Sequence, residues 1–175
     1  MAGAKRRRPP GPLKPERAWD YLLFLLSRRM YTTAELVEKL RRRGIDEPDA
    51  QRLIARLAEL QLVDDATYTT MYIGSRSASR GRLGLRQELR RKGVAPELVD
   101  EGLAELTPEA QLSSATALLE KNAWRYRPPE PEPGANRELL LKARAKAFAF
   151  LARRGFAADA VSGAIAAVGW FDDDD

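Results

Sequence analysis

An all-α fold, built as an elongated tandem array of three three-helix repeats, is what the sequence predicts, and two observations predict it. The first is a motif that recurs three times around a glycine: Leu40-Arg41-Arg42-Arg43-Gly44-Ile45, Leu89-Arg90-Arg91-Lys92-Gly93-Val94 and Leu151-Ala152-Arg153-Arg154-Gly155-Phe156. The second is a shared apolar spacing downstream of each copy. Five, nine and twelve positions beyond the residue after glycine stand Ala50, Ile54 and Leu57, then Val99, Leu103 and Leu106, then Val161, Ile165 and Val168. Those offsets put each triplet on one face of a helix.

A basic residue before glycine is a helix stop, because glycine takes the left-handed backbone of the C-cap and a cation complements the carbonyl end of the dipole. Each copy therefore reads as helix, glycine turn, helix. Two helices with one apolar stripe each do not close a core, and every copy has a further apolar stretch upstream: Trp19 to Leu26, Tyr68 to Ile73, and Leu112 to Trp124. The 175 residues thus divide into a basic arm at 1–15 expected to be disordered, repeats at 16–63, 64–106 and 107–171, and an acidic tail at 172–175. Modules this small depend on their neighbours for stability.

In order along the chain, Glu16 to Met30 is expected as the first helix, with Trp19, Leu22, Leu23 and Leu26 as its buried stripe and Tyr21, Phe24 and Leu25 widening it. Thr32-x-x-Glu35 is a capping box that opens a helix from Ala34 to Arg43, with Leu36, Val37 and Leu40 facing inward. Asp46 is the N-cap candidate of the third helix, Pro48 stands in its first turn, and its end falls near Leu60. Asp64 and Asp65 are candidate caps for a helix from Ala66 to about Ser77, with Tyr68, Met71 and Tyr72 buried. Ser75 to Gly84 reads as a basic loop, and Leu85 to Lys92 as a helix carrying Leu85 and Leu89 on one face, Arg86 and Arg90 on another. Thr107-Pro108 opens the third repeat, Arg127 to Gly134 is a stiff Pro/Glu linker, and Asn136 caps a helix running to Arg154. Ala157 to Val168 closes the array, and Gly169-Trp170-Phe171-Asp172-Asp173 echoes Leu62-Val63-Asp64-Asp65.

The chain has no Cys and no His. Disulfides and thiolate metal sites are thereby excluded, and the commonest general base and metal ligand are missing, so a non-enzymatic protein without cofactor or metal is expected. Gly81-x-x-Gly84 lacks both the Gly-Lys-Ser/Thr sequence and the preceding strand of a nucleotide cradle. No apolar run approaches the roughly 18 to 20 residues of a membrane span, and Met1 to Arg17 has no apolar h-region. A cytoplasmic, monomeric protein without a membrane partner is the expectation.

Thirty basic residues against 25 acids give a net charge of +5, but the charge is segregated: Arg76 to Lys92 holds seven basic residues and one acid. A localised basic surface points to nucleic acid or an acidic protein groove. The candidate contact residues are Arg76, Arg80, Arg82, Arg86, Arg90, Arg91 and Lys92, helped by Arg41, Arg42 and Arg43. Sequence-specific reading of DNA is not expected, because the second and third helices begin with Thr, Ala, Pro and acids rather than with Asn, Gln or Arg aimed at base edges. Non-specific, salt-sensitive affinity for single- or double-stranded DNA is.

The middle of the chain carries Asp64-Asp65-x-x-Tyr68-x-x-x-Tyr72-Ile73-x-x-Arg76 and then Gly81-x-x-Gly84-x-x-x-Glu88-Leu89-x-x-Lys92-Gly93-Val94, preceded by Tyr31-x-x-x-Glu35-Leu36-x-x-Lys39-Leu40 and Gly44-Ile45. In these residues it resembles the RecX family of regulators of the RecA recombinase. The resemblance implies a non-enzymatic modulator that binds in the groove of RecA filaments on DNA and restrains their ATP hydrolysis, strand exchange and co-protease activity, within DNA recombination, repair and the SOS response. The rival reading is a protein that coats DNA without sequence preference. A longer basic arm, the Pro/Glu insertion and the four-Asp end depart from the family pattern.

Overall fold

The computed structural model describes residues 11–128 and 137–171. The first ten residues of the basic arm, most of the Pro/Glu insertion, Asn136 and the four closing acids lie outside them. Among the described residues the chain is helical throughout, with no strand: α1 (Ala18–Leu26), α2 (Thr33–Arg41), α3 (Glu47–Glu59), α4 (Asp65–Arg76), α5 (Arg82–Arg91), α6 (Pro96–Ala104), α7 (Pro108–Lys121), α8 (Ala123–Tyr126), α9 (Arg137–Arg153) and α10 (Ala158–Val168). A single 3₁₀ turn, Pro15–Arg17, leads into α1.

The sequence signals for starting helices are realised in the expected places. Thr32 Oγ1 accepts from the Glu35 amide while the Glu35 carboxylate accepts from the Thr32 amide, so the capping box ahead of α2 is reciprocal. Asp46 accepts from the Asp49 amide at α3, and Thr107 from the Ala110 amide at α7. Asp64 caps α4 through the Ala66 amide, and the Asp65 carboxylate accepts from the amide and the hydroxyl of Thr33, at 2.9 and 2.7 Å.

The three glycines on which the copies align have nearly the same backbone. Gly44, Gly93 and Gly155 have φ of 81°, 76° and 80°, a region where an L side chain crowds the next carbonyl. The leucine at the head of each motif is buried, as is the residue after glycine: Leu40 and Ile45, Leu89 and Val94, Leu151 and Phe156. In the first and third copies that residue's amide reaches back to the leucine carbonyl, Ile45 to Leu40 and Phe156 to Leu151, closing the helix end by a six-residue ring. Downstream, Ala50, Ile54 and Leu57, Val99, Leu103 and Leu106, and Val161 and Ile165 are all buried, with Val168 half-buried.

These helices form two compact units. One holds the described chain up to Tyr68 together with Lys92–Val94, and the other Thr69–Arg91 and the described chain from Ala95 onward. In the first, α2 packs on α3 over a core of Leu22, Leu36, Leu40, Ile54 and Leu57. In the second, α5 packs on α6, and α10 on α7 and α9, with a core that includes Leu119, Leu151, Phe156, Val161 and Ile165.

Three expectations are corrected. The buried face of α1 is Ala18, Leu22 and Leu25, flanked by Trp19, Tyr21 and Leu26, while Leu23 and Phe24 are exposed. Apolar residues run almost around this helix, so spacing does not choose a face and packing does. On α4 the buried side runs through Tyr68, Thr69 and Ile73, which turns Met71 out to solvent. Residues 11–14 belong by composition to the arm, yet Leu13 packs on the first core and donates its amide to the Arg43 carbonyl at 2.8 Å.

The basic loop is also shorter than expected, because α5 begins at Arg82 rather than Leu85. No Ser, Thr, Asp or Asn immediately precedes it. Its first amides are satisfied from a distance instead: Arg82 donates to the buried Gln111 Oε1 at 2.6 Å, and Leu83 and Gly84 both donate to the Gly155 carbonyl. The Gly81 amide donates to the Arg154 carbonyl at 3.0 Å. A Cβ on Gly81 would lie 2.2 Å from the Phe156 nitrogen. Gly81→Ala is therefore expected to lower stability by about 1–3 kcal/mol through forced backbone displacement. Gly74→Ala, on α4 with nothing within 4 Å of the added carbon, is expected to raise it by about 0.5–1 kcal/mol. Thermal unfolding followed by circular dichroism reads both.

Candidate functional site

The ten candidate basic residues divide between the two units. Arg41, Arg42, Arg43 and Lys92 belong to the first unit, and Arg76, Arg80, Arg82, Arg86, Arg90 and Arg91 to the second.

In the first unit, the C-terminal turn of α2 points Arg41 and Arg42 at one carboxylate. The Arg41 and Arg42 Nε atoms lie 2.8 and 2.7 Å from Glu38 oxygens, and these two hydrogen bonds hold the Glu38 carboxyl down at about 2. All three side chains remain open to solvent, so this is a shared charge on the surface. Arg43 turns elsewhere, with its Nε donating to the Gly11 carbonyl at 3.0 Å and its guanidinium over the Tyr21 ring.

Lys92 is further from being a free contact residue. Its Nζ lies 3.0 Å from Glu35 Oε1 and 5.7 Å from the centre of the Tyr68 ring, and its carbonyl accepts from Thr32 Oγ1 at 2.7 Å. Burial alone would raise the Glu35 carboxyl, but the Lys92 ammonium and the Thr32 amide outweigh it and hold the group below its ordinary 4.5. Burial likewise works against the Lys92 charge, and its bonds to Tyr68 and Glu35 override it, raising the ammonium above its ordinary value. Glu35 and Lys92, both part of the family-like pattern, are a structural pair.

In the second unit the charge divides again. Glu88, the one acid of the basic run, sits at the centre of a small network: it accepts from the Tyr72 hydroxyl at 2.7 Å and pairs with Arg80 Nε at 3.0 Å, and Arg76 lies over the Tyr72 ring. Arg86 pairs with Asp100 of α6 at 2.7 Å. Arg82, Arg90 and Arg91 have no ion-pair partner among the described residues.

What remains open is the outer face of α5. Leu83, Gln87, Arg90 and Arg91 are all exposed and line a shallow groove with Arg86. They stand at positions i, i+4, i+7 and i+8, one helix face. Leu83 is the residue the sequence reading missed, because Gly84 placed it in a loop. The same face carries no acid, and the last turn of a helix favours the cationic Arg90-Arg91 pair. The face thus combines exposed positive charge with one exposed apolar side chain, Leu83. The glycines beside it cannot cradle a phosphate, since the amides of Gly81, Arg82, Leu83 and Gly84 are already engaged. Among the described residues no group of three acidic side chains is placed to hold a metal ion, and no helix is long and apolar enough to cross a membrane.

Comparison with known proteins places these elements in a family. Residues 18–57 match the model of the RecX first three-helix domain, and residues 64–103 that of the RecX second three-helix domain. A Regulatory protein RecX from Mycobacterium sp. (strain JLS) is 38% identical over 83% of this chain and 78% of its own length. Another, from Halorhodospira halophila, is 37% identical over 89% of each chain. Among solved structures, RecX from Lactobacillus salivarius aligns with a TM-score of 0.72 at 24% identity, over 89% of this chain and 96% of that one, a likeness of fold. A second, described as regulatory protein RecX, gives 0.69 at 28% identity over 85% and 70%.

The pairings separate the basic residues experimentally. Arg86→Glu sets a second acid against Asp100 and is expected to cost up to about 1 kcal/mol, since the pair is partly exposed, whereas Arg90→Glu leaves the thermal midpoint unchanged. The Glu35 carboxyl has a lowered value in the folded chain, so its contribution is fully present above pH 4.5 and lost as pH falls through the folded value. Glu35→Gln is expected to flatten the acid limb of the stability–pH curve measured by urea unfolding; an unchanged limb would remove Glu35 from it.

Proposed function

The chain belongs to the RecX family of regulatory proteins, and we propose that it binds RecA filaments on DNA and restrains them, without chemistry of its own. The outer face of α5 is the main contact in this reading. The observation that supports it is the contrast within one basic run: Arg80, Arg86 and Lys92 are held in pairs with Glu88, Asp100 and Glu35, while Arg90 and Arg91 stand exposed beside Leu83 and Gln87. The partner surface is DNA phosphate or acidic side chains lining the filament groove. Arg41 and Arg42, which share Glu38, are a second and weaker patch.

Several modest contacts carried on one chain act as a linked set. Linking raises the effective concentration of each later contact, so affinity is high where the sites recur along a filament and low on an isolated subunit. The inhibition of ATP hydrolysis, strand exchange and co-protease activity then comes from holding the filament rather than from blocking one active site.

Titration of this protein into DNA-dependent ATP hydrolysis by its cognate RecA on single-stranded DNA tests the reading. Loss of activity is expected well below one copy per RecA. The Arg90→Glu/Arg91→Glu double variant, with unchanged helicity, is expected to need about tenfold more protein, from losing roughly 1 kcal/mol or less per exposed contact. Inhibition that appears only when enough protein is present to coat the DNA, and fades with added DNA, would replace the filament reading with plain DNA binding.

A further inference from the structure

The carbonyl that precedes each of the three turn glycines has the same kind of work to do. At Lys92 it accepts from the hydroxyl of Thr32, the residue that caps α2. At Arg154 it accepts from the amide of Gly81, the residue just ahead of α5. In both cases a donor at the start of a helix from the preceding copy of the motif seats on the turn. The fit is close: a Cβ on Gly93 would lie 2.3 Å from the Ala34 Cβ, and one on Gly155 would lie 2.1 Å from the Gly84 nitrogen.

The first turn has no preceding copy among the described residues, yet its carbonyl is occupied. Arg43 O accepts from the Leu13 amide at 2.8 Å, the Arg43 guanidinium donates to the Gly11 carbonyl, and Pro12 is the nearest neighbour of Gly44, 3.8 Å from where its Cβ would be. Leu13 lays its side chain on the core beneath. Three residues of non-helical chain thus stand on the first turn where a helix start stands on the other two.

We infer that Gly11–Leu13 is a cap that covers a docking surface for a further copy of the motif and so keeps the first turn from accepting a second copy of this chain. Tandem helical repeats need such caps because an uncovered terminal interface is complementary to elements the protein already contains. A contact of that kind joins unlike surfaces, head to tail, and so builds rings or open chains rather than a two-fold dimer. This inference rests on the equivalence of the three turns and is independent of the RecA reading.

The test is sedimentation equilibrium of the intact chain and of a variant lacking residues 1–13, across a concentration series, with helicity followed by circular dichroism. The shortened chain is expected to keep its helicity and to self-associate roughly tenfold more tightly than the intact chain. A synthetic peptide of residues 5–16 added in trans is expected to reverse that association. Equal association of the two chains overturns the inference, and so does association that the peptide leaves untouched, because it then runs through another surface. Should the shortened chain lose helicity, Leu13→Pro in the full chain decides: it removes the donated amide and is expected to raise self-association about fivefold, and a folded Leu13→Pro chain that associates no more than the intact one overturns the cap.

Discussion

The left-handed glycine turn is the constraint on which the rest of this protein depends. Its backbone ends one helix, drops a large apolar residue into the core and starts the next helix, and it also leaves the preceding carbonyl facing outward. At Gly93 and Gly155 that carbonyl and the bare glycine face are filled by the start of an earlier helix, close enough that a side chain does not fit. One local conformation therefore sets both the fold of a motif and the way it joins its neighbour. This explains why Lys92–Val94 are grouped with the first compact unit although they lie between α5 and α6.

The same economy governs the charge. A run of seven cations with a single acid reads as one basic surface, but the acids that neutralise it come from elsewhere in the sequence: Asp100 from α6 and Glu35 from α2. Glu88, the internal acid, is drawn to Tyr72 and Arg80. Paired cations hold helices in place, and the exposed Arg90 and Arg91 have no ion-pair partner among the described residues. The motif residues Tyr68, Tyr72, Glu35, Glu88 and Lys92 accordingly sit in the scaffold, whereas Arg90 and Arg91 stay exposed on α5. A partly buried pair such as Glu35–Lys92 also ties the scaffold to pH through its lowered carboxyl, while the exposed Glu38 cluster is screened by solvent.

Much of this was legible in the chain itself, where the signal is local. Glycine after a basic residue marked three helix ends, because glycine takes that φ without a Cβ clash, and Thr32, Asp46 and Thr107 marked helix starts by bonding amides within the first turn. The apolar offsets after each glycine named the buried stripe of three helices almost residue for residue. Where apolar residues surround a helix, as in α1, or where a start has no local cap, as in α5, the sequence held no such signal. The first turn of α5 forms because Gln111 and Gly155, both far along the chain, supply its acceptors, and which arginines are free depends on acids equally remote in sequence. Local backbone chemistry determined the helices and their ends; only tertiary contact decided which face of α1 is buried, where α5 begins and which cations remain for a partner, because each of those depends on groups that meet only after the chain has folded.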